Sequence, residues 1–357
     1  MAAVTRWLCE PAPLGRLAAF RTLVYLFVIA DLLVVTPWVR AHAYVPGELY
    51  QPLLVGRVLP LPTPTPTLVW GVFAALLVTA AVAATGRLPK LAGIAVAVLY
   101  FEWMVIAMSY GKVDHDRFAL LVALAVLPTV GRARHGDTTR SAAAGWALRV
   151  TQIAVIATYF LAAWAKLRIG GLEWLTSATL TWAFVRRGTP VADLMVDHPW
   201  TLVAAQIGIV AFELASPLVF VLRRRWRYAA VGFFYLFHAM TIATVTISFL
   251  PHLVAMTSFL PLERVRPVTW LRRGGRPVGE DPGRPVDEHS GTAAPDAAGD
   301  PGAAGGSGAL GGEPVPDGLR QSAGGGAAGH AVPVAGDPPV GGPGERSDRG
   351  GPQQAAD

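Results

Sequence analysis

Three residues inside long apolar stretches carry side chains that could transfer a proton. Lys166 lies in YFLAAWAKLRIGGLEW, Glu213 in IVAFELASPLVF and His238 in FFYLFHAMTIATVTISF. Ionisable groups are costly to bury in a hydrophobic segment, and in membrane proteins they commonly mark functional sites. A neutral lysine amine can act as a general base, and a nearby histidine or carboxylate can shuttle the proton. These residue types predict intramembrane acid/base chemistry. The alternative for Lys166 is an interfacial anchor that marks the end of a span.

Other polar residues widen the set of candidates. Arg21 and Asp31 lie ten positions apart in the first apolar stretch, Glu102 lies in the third, and His115 lies in the loop motif KVDHDRF. Arg21 could instead reach the lipid headgroups. Asp31 and Glu102 could be ion-pair partners of Arg21 or Lys166. The Asp-His-Asp triplet is interpreted as a solvated loop, and no metal site is predicted.

Hydroxyl residues follow His238 along the same apolar stretch, at positions 241, 244, 246 and 248. Serine and threonine in helices often donate back to a carbonyl one turn earlier, and we expect that arrangement here. The alternative is a polar stripe that leads away from His238.

The composition indicates an integral membrane protein. Of 357 residues, 53% are hydrophobic and only 15% are charged, and the apolar residues form long runs. A run of about 18 or more such residues is typical of a membrane-spanning helix. We predict an all-α polytopic bundle of about 7–8 transmembrane helices. The predicted spans are 17–39, 67–86, 91–109, 117–130, 146–166, 199–222 and 227–248, with a partial eighth at 252–262. The single cysteine, Cys9, excludes an internal disulfide.

The basic residues predict an orientation. Alternate loops differ in their lysine and arginine content, and the richer set includes Arg6, Arg16, Arg140, Arg149 and the run from Arg223 to Arg227. Cytoplasmic loops carry such an excess. We therefore expect a bacterial plasma-membrane protein with a cytoplasmic N-terminus and tail. The net charge of +6 is interpreted as contact with anionic membrane lipids, and no nucleic-acid partner is predicted.

The chain divides into three predicted regions. Residues 1–16 form a cytoplasmic N-terminal segment and residues 17–265 form the transmembrane helical domain. Residues 274–357 are rich in Gly, Pro and Ala, and large apolar side chains nearly vanish. Such a segment buries too little surface to offset its ordering entropy, so disorder is predicted there.

Several segments resemble one family in order and spacing over about residues 10–265. YFLAAWAKL with the following Trp174 resembles the Tyr-x-x-Ala-Gly-x-x-Lys-Leu…Trp segment of the vitamin K-dependent gamma-carboxylases and their bacterial relatives, the HTTM family. Tyr159 stands seven positions before Lys166, as in that family. The stretch around His238 resembles the family's Phe-His helix, and DHDRFALLVALAVL resembles its His-containing entry to a conserved helix. AFELASPLVF falls where the family has an acidic residue.

The resemblance implies a reduced quinone as cofactor and a quinone-linked activity of the carboxylase or epoxidase kind. In the carboxylases a lysine at this motif deprotonates the reduced quinone, and oxygenation of the quinone then yields a strong base. By resemblance, Lys166 and His238 are the candidate catalytic residues. The candidate substrate- or cofactor-binding residues are Tyr159, Trp174, Glu213, His115 and Arg21. A low-complexity tail stands where the carboxylases have their substrate-binding domain, so the resemblance supports a shared bundle and a quinone-linked site more than it supports protein glutamate carboxylation.

Two other classes of function remain open from the sequence. One is a transporter or permease whose polar path is lined by Arg21, Asp31, Glu102, Glu213 and His238. The other is a membrane partner protein that performs no chemistry. The sequence does not identify the substrate or the protein partners.

Overall fold

Long apolar helices dominate the computed structural model, which describes residues 2–265. Within that range, six helices are long and apolar enough to cross a membrane. They are Leu14–Val35, Pro66–Ala84, Leu91–Met108, Ala142–Gly170, Pro199–Phe220 and Arg224–Val245. The shortest has 18 residues, which at 1.5 Å per residue is about 27 Å and close to the thickness of the hydrocarbon core. The predicted all-α membrane class is confirmed. The predicted disordered tail, 274–357, lies outside the described residues.

The elements follow one another with short connections. In chain order the helices are α1 (Ala2–Leu8), α2 (Leu14–Ala30), α3 (Leu54–Val58), α4 (Pro66–Ala84), α5 (Leu91–Met108), α6 (Phe118–Val126), α7 (Ala142–Gly170), α8 (Thr179–Arg187), α9 (Pro190–Val196), α10 (Pro199–Ala215), α11 (Arg224–Val245) and α12 (Leu250–Met256). Strands β1 (Ala12–Pro13) and β2 (Arg140–Ser141) pair antiparallel, with Ala12 opposite Ser141. This pair ties the N-terminal segment to the start of α7.

Two of the predicted spans are short helices. The stretch predicted at 117–130 contains only the nine residues of α6, followed by a 3₁₀ turn at Leu127–Thr129. Pro128 lies in that turn, and proline cannot donate the amide hydrogen that would continue the helix. The stretch predicted at 252–262 is a short apolar helix, Leu250–Phe259. Much of α6 is fully buried, so its apolar character reflects its position inside the bundle.

Helix α7 is the element that carries the candidate base. It begins after Ser141, whose hydroxyl accepts a hydrogen bond from the amide of Ala144. It ends at Gly170, and Gly171 follows with a φ of 61°, a conformation that glycine adopts without strain. The predicted span ended at Lys166, but the helix continues for four more residues. The lysine is therefore held by helical backbone on both sides.

Two large hydrophobic clusters organise the bundle, and a third, smaller one contains Phe184, Ala192, Leu202 and Val245. The first involves α2, α4, α5, α6 and the first turns of α7. The second is formed by the middle of α7 with α11, α12 and the C-terminal end of α10. Helix α6 packs against α7 and α12, so it joins the two clusters. The candidate residues of the second half of the chain lie in and beside the second cluster.

Asp31 has a different partner from either of those predicted. Its carboxylate lies 2.7 Å from a guanidinium nitrogen of Arg117, and the hydroxyl of Tyr100 donates to it at 3.0 Å. The prediction of Arg21 or Lys166 as its partner was wrong. The physical reason is that α2 passes into a π-helical turn at Asp31–Val35, whose first residue contacts Tyr100 of α5 and Arg117 of the turn before α6. The Asp31 side chain is fully buried, so removal of Arg117 would leave an uncompensated charge inside the bundle.

Arg21 and Glu102 are also not paired with each other or with Lys166. Arg21 is only 2% exposed, and its guanidinium donates to the carbonyl oxygens of Val130 and Gly131 at 3.0 and 3.1 Å. It therefore fixes the end of the turn after α6 and does not extend toward headgroups. One carboxylate oxygen of Glu102 is buried and has no hydrogen-bond partner among the described residues.

Candidate functional site

A large cavity lies among the helices of the second half of the chain. Its volume is about 830 Å³, within the range of about 300–1,000 Å³ that is usual for small-molecule sites. Helices α7, α10 and α11 supply most of its walls. Most of the lining is aliphatic or aromatic, and includes Phe118, Leu161, Phe184, Ile209 and Phe237. Such a lining suits a molecule that enters from the lipid phase.

An ion pair between α7 and α10 forms part of the wall. The Lys166 ammonium group donates to both carboxylate oxygens of Glu213, at 2.6 and 2.8 Å. The Glu213 side chain is 7% exposed and that of Lys166 is 24% exposed. The ring of Trp174 lies 5.6 Å from the ammonium nitrogen, within the range of a cation–π contact. The lysine is thus held at the cavity by the carboxylate of Glu213 and by the aromatic ring of Trp174.

The geometry of this pair permits proton transfer. A proton that moves from Lys166 to Glu213 along the short hydrogen bond leaves a neutral amine and a neutral carboxylic acid. A poorly solvated site makes this neutral form more accessible than it is in water, because burial disfavours charges. The neutral amine can then accept a proton from a group in the cavity.

A second polar pair lies on the neighbouring wall. The hydroxyl of Tyr159 and the Nε2 atom of His238 are 2.7 Å apart, and the tautomer of the imidazole decides which of them donates. Tyr159 belongs to α7 and His238 to α11, and both are buried. The Nδ1 atom of His238 is buried and has no partner among the described residues. This nitrogen remains available to a ligand.

His252 also lies at the cavity, although it was not among the predicted site residues. Its ring centroid lies 4.8 Å from that of Tyr159 and 5.5 Å from that of His238. Both of its ring nitrogens are buried, and neither has a hydrogen-bond partner in the described part of the chain. The signal was present, because His252 is a histidine in a short apolar helix, as His238 is in a long one.

His115 approaches the same cavity from the turn that precedes α6. Its ring lies 6.0 Å from that of Phe249. Burial lowers the pKa of His115 below the ordinary value of 6.5, and the positive charge of Lys166 lowers it further. The imidazole is therefore mostly neutral at pH 7, and it can both donate and accept a hydrogen bond. Among the described residues, no group of His, Cys, Asp and Glu is arranged to hold a metal ion.

Gln206 of α10 positions the segment that follows α7. Its amide nitrogen lies 2.9 Å from the carbonyl oxygen of Trp174 and also donates to those of Leu175 and Ser177. Its amide oxygen accepts from the backbone nitrogen of Leu180 at 2.7 Å. This buried side chain fixes the turn that places Trp174 over Lys166. This role could not be predicted from the sequence, because a single glutamine in an apolar helix gives no indication of its partner.

The structure brings most of the predicted site residues together. Those that line the cavity are Lys166, His238, Tyr159, Glu213 and His115. Trp174 lies just beyond Lys166, whereas Arg21 lies elsewhere, in the first half of the bundle. Asp31 and Glu102 are also absent from the described lining. The polar residues that a permease path would require are thus divided between two separate regions.

The hydroxyl residues after His238 include two that line the cavity, Thr241 and Thr244. Their hydroxyls donate to the carbonyl oxygens of Phe237 and Met240, each four residues earlier. The predicted back-bonding is confirmed for these two residues, and their hydrogens are already used within α11.

Comparison with known proteins gave one match. A family model for the HTTM domain matches residues 10–264. That range contains every residue of the cavity. No curated protein and no solved structure matched the chain.

Proposed function

The chain belongs to the HTTM family, and we propose that its cavity is an acid/base site that acts on a quinone or another lipid-phase substrate. The observation that carries the proposal is the pairing of Lys166 with Glu213 in the wall of a large apolar cavity. The pair supplies a base within reach of a bound molecule. The proposal places the protein in a bacterial plasma membrane, with its N-terminus and tail in the cytoplasm.

The residues present fit a quinone. The aromatic and aliphatic lining would contact its ring and tail. The unpartnered nitrogens of His238 and His252 would hydrogen-bond its oxygens. A reduced quinone supplies a hydroxyl group whose proton can be removed. Hydrogen bonds from the quinone to these nitrogens would also offset the free-energy cost of burying them without a partner.

Each pair of residues has a separate role in the proposed chemistry. Lys166 passes its proton to Glu213, and its neutral Nζ atom then accepts a proton in the cavity. The hydrogen bond between Tyr159 and His238 provides a second place at which a proton can be held and moved. The aromatic side chains around these groups exclude water, which would otherwise compete for the same protons.

Occupancy of the cavity can be tested by native mass spectrometry of the full chain purified from its own membrane. We expect a bound quinone or another lipid-phase molecule in the parent. Ala205 of α10 lines the cavity, so Ala205→Phe should fill it and displace that molecule. Its neighbour Ala204 is exposed and lies outside the lining, so Ala204→Phe is the matched control and should retain the molecule. A parent with nothing bound, or full occupancy in Ala205→Phe, would contradict the proposal.

A further inference from the structure

A second and smaller cavity lies at the opposite end of α7 from Lys166. Its volume is about 130 Å³, and residues 145–152 of α7 form one wall. The remaining walls come from the segment before α2, from the first turn of α2, from β2, from the start of α11 and from Phe259. Five arginines line it, namely Arg16, Arg140, Arg149, Arg224 and Arg227. This concentration of guanidinium groups has no role in the acid/base site.

Carboxylates neutralise only part of this charge. Arg16 is paired with Glu263, at 2.7 and 2.8 Å, and Arg149 is paired with Glu10, at 3.1 Å. The other three arginines have no carboxylate partner among the residues that the structure describes. The cavity therefore keeps an excess of positive charge after its own ion pairs are formed.

One of these arginines has an unused donor. The Nε atom of Arg227 is buried and has no hydrogen-bond partner in the described range, while another of its nitrogens donates to the carbonyl oxygen of Leu222 at 3.3 Å. Arginine always carries its charge, and a buried N–H without an acceptor is costly. The position calls for an acceptor that the described chain does not supply.

Neighbouring groups hold part of the wall in place. The guanidinium of Arg149 lies 4.6 Å from the ring centroid of Trp7 and donates to the side-chain oxygen of Gln152. Arg140 donates to the carbonyl oxygen of Pro11. Because these side chains are fixed before any ligand arrives, binding would cost little conformational entropy.

The backbone also favours an anion in this cavity. Helices α2, α7 and α11 all begin beside this cavity, at Leu14, Ala142 and Arg224. The first turn of a helix carries a partial positive charge, which favours an anion nearby. The volume accommodates several water molecules, so a tetrahedral anion can enter.

We infer that this arginine-lined cavity binds a phosphate group. Guanidinium groups match phosphate oxygens in two-point geometry, and the predicted orientation places the cavity on the cytoplasmic side. On the cytoplasmic side, phosphate groups occur in the headgroups of anionic lipids and in small soluble molecules. Both sources present the same phosphate group to the arginines.

The test uses the full chain in a neutral detergent and follows its thermal unfolding by tryptophan fluorescence. The probes are dihexanoyl phosphatidic acid, dihexanoyl phosphatidylcholine and glycerol 3-phosphate, with sodium chloride at matched ionic strength. We expect the phosphate monoesters to raise the melting temperature above the chloride control. Arg227→Gln and Arg224→Gln should each weaken binding about tenfold, as the loss of one charge-assisted hydrogen bond predicts. Arg224 is exposed, so its variant keeps the packing intact.

Arg225 provides the matched control, because it lies in the same basic run but does not line the cavity. Arg225→Gln should bind as the parent does. Tighter binding of phosphatidic acid than of glycerol 3-phosphate would identify a lipid headgroup, and equal binding would identify a soluble phosphate. Equal weakening in Arg225→Gln and Arg227→Gln, or no shift above chloride with any probe, would overturn the inference.

Discussion

Lys166 and Glu213 are 47 positions apart in the chain, yet the ammonium nitrogen lies 2.6 Å from a carboxylate oxygen. This pairing bears on the two interpretations of the lysine that the sequence left open. An interfacial anchor requires only a positive charge and sufficient reach. A base requires a group that takes up its proton and keeps it nearby, and Glu213 is such a group. The two interpretations differ in their response to single substitutions.

The first prediction concerns Lys166→Arg. Arginine retains the charge and can still pair with Glu213, but it does not lose its proton at any relevant pH. We expect this variant to insert and fold normally. We also expect a decrease of about 10²–10⁴-fold in the rate at which the protein accelerates the oxidation of a reduced naphthoquinone by dissolved oxygen, followed by ultraviolet absorbance. Equal rates in variant and parent would end the base assignment and support the anchor.

The second prediction concerns the stability of the pair. Glu213→Gln leaves the Lys166 ammonium at the cavity wall without its counter-charge, so we expect destabilisation by about 1–3 kcal/mol. This is less than for a fully buried pair, because Lys166 is partly exposed. The double variant Lys166→Met/Glu213→Gln should recover much of the loss. Thermal unfolding in detergent is measured for the parent, for Lys166→Met, for Glu213→Gln and for the double variant, and strict additivity of the two substitutions would contradict the coupling.

These two residues also show how far the sequence could predict the site. Each was identified alone, because an ionisable side chain in an apolar run is visible locally. Their pairing was not predicted, since helix packing brings together positions that are far apart in the chain. The same limit explains Asp31, whose partner Arg117 lies 86 positions away. The long spans were predictable because their signal is contained in about 20 consecutive residues.

The third prediction concerns pH. Burial raises the pKa of Asp116 to about 6 from an ordinary 3.8, and the neighbouring Arg117 offsets only part of this effect. Well below pH 4 the carboxyl is protonated in both the folded and the unfolded chain, and its burial carries no charge penalty. Between pH 4 and 6 the unfolded chain releases the proton first, so folding stability falls as the pH rises. Above pH 6 burial of the charged carboxylate lowers the folding stability by its full amount, on the order of 3 kcal/mol.

Asp116→Asn removes this titration. We expect the variant to be more stable than the parent at pH 7 and similar to it near pH 4, as measured by melting temperature across that range. Glu48→Gln, at an exposed position, should show no such trend. A stability difference between Asp116→Asn and the parent that stays constant with pH would contradict the assignment.

The fourth prediction concerns Gly145 of α7. A β-carbon at this position would lie 1.9 Å from the carbonyl oxygen of Glu10, so the N-terminal segment would have to move. We expect Gly145→Ala to destabilise the protein by about 1–3 kcal/mol. Gly208→Ala in α10 is the control, because an added β-carbon there would meet no atom within 4 Å beyond its own stretch of helix. That change should be neutral or slightly stabilising, since alanine favours a helix. Equal effects of the two substitutions would refute the steric argument.

The fifth prediction concerns orientation. After Cys9→Ser, a single cysteine introduced as Glu48→Cys should react with a membrane-impermeant maleimide added outside the cell. A single cysteine introduced as Arg225→Cys should react only after the cells are opened. The reason is the excess of arginine on the side of α11 that carries residues 223–227. The reverse labelling pattern would invert the proposed topology.

The pairing of β1 with β2 has a consequence for biosynthesis. The strand that contains Ala12 has no partner until Ser141, about 130 positions later, has been synthesised. At roughly 5–20 residues per second, translation of that interval takes on the order of ten seconds. Three long helices are made in the meantime, so α2 enters the bilayer while its N-terminal segment is still untethered. The arginine-lined cavity draws its walls from both ends of this interval and from α11. Its last lining residue is Phe259, so the cavity forms only after the bundle has been synthesised, and an anion bound there would distinguish the assembled bundle from all shorter nascent chains.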